Sequence, residues 1–322
     1  MIGRVLLALG ILCGASTLMA QEPPAPQPAA AAELSVAIDN LGRLDYAVRT
    51  AASRLIRRTA PVQAVPALLR AVAEHQDGYV RYRALVLLTG FNDPRTAGAM
   101  RESLTSPNDR LRTVAYSFFE HNPDRDMVPE LLAALDAEQA EFVRPSLVRA
   151  LAALGADPRV RQALVREAGR GEDFFRSVVI EALGDYKAQY AFDAVNAVAK
   201  LDGPLQDDAA IALGKIGDPR ALETLAALQR TAPRARQPSI AAAICLLGIN
   251  CLTHETYLIE TLKFSDRNPG FQELLRGAAA GLSAVALAGR AEAAVELEPA
   301  SADARRALEA SRAALGRPLE PH

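Results

Sequence analysis

Four histidines, His75, His121, His254 and His322, are the first candidates for metal binding or proton transfer. No two of them stand at a ligand spacing. His254-Glu255 is the only His-Glu dipeptide, and one such pair cannot build a two-metal site. A solvated turn or helix-start histidine is the expectation there. No HExxH, GxSxG or phosphate-cradling glycine loop occurs. GAAAG and GRGED lack the lysine and the strand–helix setting that phosphate binding needs. Asp207-Asp208 are adjacent, so on a helix they point to different faces or cap its start. The tract RTAPRARQ (230–237) reads as a solvated loop between units, with an anion-binding patch as its alternative. It lacks the interleaved aromatics of nucleic-acid recognition. No catalytic residue, cofactor or metal site is expected.

The cysteines are the remaining reactive groups. CLLGINC holds Cys245 and Cys251, and the third cysteine, Cys13, lies near the N-terminus. An isolated pair in an oxidising compartment points to a disulfide. Six residues of continuous helix rise about 9 Å, too far for the bond. A helix ending at Gly248 lets the chain double back and makes the bond feasible. The alternative is two buried thiols. A CxxC redox site is absent.

Composition narrows the class. The chain has 322 residues with 50% apolar and 5% aromatic content and no Trp. Much Ala and Leu with few aromatics favours packed helices. The formal charge of −2 offers no basic surplus for nucleic acid or anionic membrane.

The first twenty residues read as an export signal: Arg4, the apolar run Val5–Leu12, then the small residues of GASTLMA. Cleavage after Ala20 is expected, despite Leu18 at the third position back. An uncleaved anchor is the alternative, but about 20 apolar residues are needed to span a bilayer. A lipoprotein signal at Cys13 is disfavoured by the preceding Leu12. Periplasmic or secreted location follows, with no membrane span after cleavage. Residues 21–33, rich in Pro and Ala, read as a linker.

From residue 34 the chain repeats. An apolar residue followed by Arg recurs at Arg49, Arg81, Arg112, Arg144 and Arg176, with spacings of 32, 31, 32 and 32. FNDPR (91–95), GADPR (155–159) and GDPR (217–220) follow at a fixed phase. Asp93, Asp157 and Asp218 are expected N-caps, each with a proline at the first helical position. Gly90, Gly155, Gly184, Gly214 and Gly248 fall near one phase and are expected to close the preceding helix in the left-handed conformation. Flanking apolar residues recur at three- and four-residue intervals. Each unit is therefore a helix, a short turn and a second helix, and stacked units bury the face that one cannot.

The expected fold is all-α: an α-solenoid superhelix of stacked hairpins, about seven units over 34–266. Residues 34–44 read as the last helix of an opening unit. Capping helices over 267–315 and a tail, 316–322, follow.

The string AAIALGKIGDPRALETLAAL is similar to the short bacterial HEAT repeats of the phycobilisome-lyase type. The resemblance covers about residues 34–266. It implies that the recurring Arg and Asp residues bond between neighbouring repeats, which makes the arginines structural. Gln206-Asp207 interrupts the arginine pattern, so the ladder is expected to stop at the sixth unit. Two enzyme groups share this repeat type. The hydroxylases among them use several His-Glu pairs for two irons, which this chain lacks, and no feature singles out a bilin pocket.

The C-terminal part reads as a helix near 271–289 and an amphipathic helix near 303–315. Ala304, Ala307, Leu308 and Leu315 suit its buried side, and Arg305, Arg306, Glu309 and Arg312 its exposed side. Gly277 and Gly281 suggest a close helix contact. The function expected is a non-catalytic scaffold of the bacterial cell envelope that binds a protein partner along its helix surfaces. Arg101, Glu102, Gln162, Arg166, Glu223 and Arg230 are the exposed candidates, and their mixed signs fit protein recognition. A cofactor-handling lyase or hydroxylase is the alternative.

Overall fold

The computed structural model describes residues 31–293 and 299–314. The expected export signal, most of the linker and the tail lie outside the described residues. The described residues fall into two compact units, the chain boundary lying between Asp93 and Pro94. That boundary falls inside the second of the expected repeats.

The first unit contains α1 (Ala31–Asn40), α2 (Tyr46–Arg58), α3 (Pro61–Glu74) and α4 (Gly78–Leu88). The second contains α5 (Arg95–Ser103), α6 (Asp109–His121), α7 (Val128–Ala137), α8 (Arg144–Ala153) and α9 (Pro158–Ala168). It continues with α10 (Asp173–Asp185), α11 (Phe192–Ala199), α12 (Gln206–Ile216) and α13 (Ala221–Thr231). It ends with α14 (Gln237–Leu246), α15 (Cys251–Asp266), α16 (Gln272–Leu287) and α17 (Ala302–Ala314). In the second unit α6, α8, α10, α12, α14 and α16 pack side by side in that order, and α5, α7, α9, α11 and α13 each pack on the helix that follows. Their buried Leu, Val, Ile and Ala residues form the core.

Helix starts are built from short polar side chains. Asp45 accepts from the amides of Ala47 and Val48, Asp77 from Tyr79, and Asn108 from Arg110. Asp157 caps α9 as expected, with Pro158 at the first position. Asp218 accepts from the Arg220 amide at 2.9 Å, but α13 begins one residue later, at Ala221. The helix after Asp93 likewise begins at Arg95, with Pro94 at the cap position.

The glycine expectation needs correction. Gly217 (φ 77°) and Gly248 (φ 82°) do close helices in the left-handed region. Near Gly90 and Gly184 the left-handed residues are Asn92 and Lys187, and Gly155 has no positive φ. Gly184 and Gly214 lie inside helices instead. A Cβ on Gly184 would sit 2.9 Å from the Ala212 Cα, and one on Gly214 would sit 2.7 Å from the Ala243 Cα. These glycines let α10, α12 and α14 approach backbone to backbone.

The ladder side chains do join successive repeats, by a route the resemblance did not specify. A helix leaves its last carbonyls without intrahelical donors. Arg49 donates to the Arg43 and Leu44 carbonyls at 2.6 Å each, Arg81 to Val72 at 2.7 Å, Arg112 to Ser106 at 2.7 Å, and Arg176 to Ala168 at 3.2 Å. Arg81 and Arg176 thus tie the start of one helix to the last turn of the helix before, and Arg49 and Arg112 tie it to the preceding turn. Arg144 differs: its Nε has no hydrogen-bond partner, and its guanidinium lies 3.6 Å from the centre of the Phe175 ring. The ladder does not stop at the sixth unit. Gln206 donates to the Ala199 and Leu201 carbonyls, and Gln237 to Gln229 and Ala232. An amide replaces the guanidinium in the same role. Asp157 and Asp218 bond within their own turns, to Arg159 and Arg220.

Cys245 and Cys251 form a disulfide across the α14–α15 turn, with Cα atoms 4.1 Å apart. Helix α14 ends before Gly248, so the chain reverses as the bond requires. Gly281 packs against Ala242 and Leu258 of α14 and α15. Ala304, Ala307 and Leu308 of α17 are buried, while Arg305, Arg306 and Glu309 are exposed. Two α15 carboxylates tie down the connection between α16 and α17. Glu255, with no exposed surface, accepts the amides of Glu292 and Ala293 at 2.7 and 2.8 Å. Asp266 accepts those of Ala300 and Ser301.

Candidate functional site

The α5–α6 turn and α7 enclose a groove of about 890 Å³. Its position follows from the repeat. The α5 chain must turn before Asn108 caps α6, and α7 returns alongside, so Leu104, Thr105 and Ser106 face the last turn of α7. Ala133, Ala134 and Ala137 recur at helical spacing along α7 and leave room above them. Ala133 and Ala137 are exposed.

Two ion pairs frame the groove. Arg101 on α5 meets Glu130 on α7. At the inner wall, Arg112 donates to both Glu138 oxygens, at 2.7 and 2.9 Å, in a bidentate arrangement. Glu138 also accepts the Ala140 amide at 2.9 Å. Burial pushes the Glu138 carboxyl up, but the Arg112 hydrogen bonds and the backbone amides outweigh it and hold the carboxyl below its usual range. Tyr116, 1% exposed, is pushed up to about 12, mainly by burial and further by the Glu138 charge. It therefore stays a neutral phenol near neutral pH.

Every charge lining the groove is matched. The surface suits apolar and neutral polar side chains of a ligand, with Thr105, Ser106 and Gln139 available for hydrogen bonds at its edge. Nothing in it pairs a nucleophile with a base. Among the described residues no group of three His, Cys, Asp or Glu side chains could hold a metal ion.

The six surface candidates are all exposed, but the structure does not gather them. Arg101 alone lines the groove. Glu102 shares α5. Gln162 and Arg166 lie on α9, where Arg166 pairs with Glu167 at 2.9 Å. Glu223 and Arg230 lie on α13. His254 stands alone, and burial lowers its pKa. Arg236 in the 230–237 tract bonds Asp202 and the Gln206 amide oxygen, so that tract is partly structural. Tyr116, Glu130 and Glu138 went unread in the sequence. The available signal was an acid about 26 to 29 residues after Arg112 and Arg101, which carries little information without the register.

Residues 34–119 match the family model of HEAT repeats. No curated protein matches the chain. Among solved structures, Kap95p from its complex with RanGDP aligns with a TM-score of 0.53 at 15% identity, covering 89% of this chain and 45% of that one. Importin beta aligns with a TM-score of 0.48 at 16% identity, covering 88% and 45%. The complex of CpcE and CpcF, a phycocyanin lyase from Nostoc, aligns at 0.33 and 17% identity, covering 71% and 99%. This chain therefore spans less than half the length of the first two. Among the described residues no helix is long and apolar enough to cross a membrane. Residues 34–119 thus match HEAT repeats, and the described residues have an all-α, α-solenoid fold.

Proposed function

We propose that this protein is a non-catalytic binding scaffold of the bacterial cell envelope, and that it receives a protein partner in the α5–α7 groove. The observation that carries the reading is the groove itself. It combines about 890 Å³ of open volume with a mostly apolar lining and internally paired charges. A partner inserting apolar side chains there gains the burial of both surfaces without leaving Arg112 or Glu138 unpaired. Stacked repeats supply neighbouring helix surface for further contacts. The envelope setting is supported by the N-terminal signal pattern and by two cysteines that pair.

Two measurements test it. Affinity capture with the wild-type chain and with Ala133→Phe/Ala137→Phe compares an open groove with a filled one. A partner retained equally by both would remove the groove from the account. Sequencing the mature N-terminus tests the setting. A chain beginning at Gln21 in the periplasmic or secreted fraction is expected, and an intact Met1 in the cytosol would contradict it.

A further inference from the structure

A second cavity, of about 500 Å³, lies where α10, α12, α14 and α16 end. About half of its lining is apolar, a floor that includes the nearly fully buried Leu246 and the 85% exposed Leu287. Its charged lining is Asp185, Lys187, Lys215 and Arg290. Asp185 is fully engaged. Lys215 reaches one of its oxygens at 2.7 Å, and Arg149 of α8 reaches the other at 2.8 Å. Arg149 also bonds Glu120 of α6 at 2.8 Å, so four successive inner helices share one charge network. Burial pushes the Asp185 carboxyl up, but Lys215 and Arg149 hold it below its usual range, ionised at neutral pH.

Lys187 and Arg290 stand outside that network. Both are exposed, and neither head group has a hydrogen-bond or ion-pair partner among the described residues. Both are held in place by their backbones. Lys187 occupies the left-handed region at φ 50°, with its amide on the Gly184 carbonyl. The Arg290 amide bonds the Val285 carbonyl, and the Arg290 carbonyl oxygen lies 3.4 Å from the Cys251 sulfur. Two residues on, Glu255 grips the chain. The Arg290 guanidinium lies over Gly248, so close that a Cβ there would sit 3.0 Å from it. Helix C-termini favour cations, and Lys215 on Asp185 already serves that end of α12. Lys187 and Arg290 are a positive surplus beside an apolar floor.

We propose that this cavity binds an acidic peptide segment of a protein partner. An apolar side chain of the segment covers Leu246 and Leu287, and its flanking carboxylates meet Lys187 and Arg290. Charge complementarity selects the acidic segment over a basic one, and the apolar floor selects a peptide over a small anion. The proposal rests on the reading of the chain as a binding protein but not on the α5–α7 groove.

Fluorescence anisotropy on the full chain tests it with four probes. One is a labelled peptide of alternating Leu and Glu. The others are its Ala/Glu and Leu/Lys counterparts, and inorganic phosphate as competitor. The Leu/Glu peptide is expected to bind saturably, to weaken with added salt, and to lose on the order of tenfold in affinity to Lys187→Glu/Arg290→Glu. Arg101→Glu should leave it unchanged, which separates this site from the groove. Circular dichroism should show the double variant folded, since both side chains are exposed and unpaired. No binding at millimolar protein, equal binding of the Leu/Lys peptide, or equal affinity for the double variant would overturn the proposal. Equal binding of the Ala/Glu peptide with displacement by phosphate would overturn it in favour of a simple anion site.

Discussion

Glu138 is the residue on which the groove's inner wall depends. Its ionised form is stabilised in the folded chain by Arg112 and by the Ala140 amide, so its folded pKa lies below the unfolded value. The stability this contributes is complete above the unfolded pKa and is lost as pH falls through the folded one. Glu138→Gln leaves the half-buried Arg112 guanidinium with only the exposed Asp109, at 3.3 Å, as counter-charge and should cost about 2 kcal/mol at pH 7. At pH 3, below the unfolded value, the difference should shrink, because protonation of this carboxylate in the unfolded chain favours unfolding of the wild type. Urea denaturation at the two pH values checks this, and an equal loss at both would contradict the pairing. Single residues were the hardest scale to read from sequence. The ladder arginines announced themselves by period, yet their partners are backbone carbonyls, which have no sequence signature. A cue was present in the N-cap four residues before each of three of them: Asp45 before Arg49, Asp77 before Arg81, Asn108 before Arg112.

Helix boundaries were more legible, because the signals that end a helix are local. Asp157-Pro158 and Gly217 act in the structure as turn chemistry dictates. Gly184 and Gly214 show where local reasoning misleads. Their recurrence resembled a helix stop, but its cause is the distance between neighbouring helices. Gly214→Val should therefore destabilise by about 2 kcal/mol through overpacking against Ala243, rather than through any change of φ. Chemical denaturation decides it, and a neutral result would mean that α14 can shift freely. The disulfide acts at the same scale. It closes a short loop between α14 and α15, so Cys245→Ser/Cys251→Ser should lower stability by about 2 kcal/mol. Reductant should lower the wild type by the same amount and leave the variant unaffected. A wild type insensitive to reductant after full thiol labelling would contradict a stabilising role.

For the whole molecule, period and composition were enough to give a stack of helix pairs, because repetition averages over weak local signals. The division at Asp93 was not legible, since it depends on packing density rather than on any residue type. Nor was the groove, which forms only when α5, α6 and α7 are placed together. The central claim is that this surface receives a protein. The most direct measurement is photo-crosslinking in cells, with a photoreactive residue placed at Ala137 and, as control, at the exposed Glu181 on α10. A discrete adduct with one partner protein is expected from Ala137 and none from Glu181. No adduct at Ala137, or the same adducts from both positions, would contradict it.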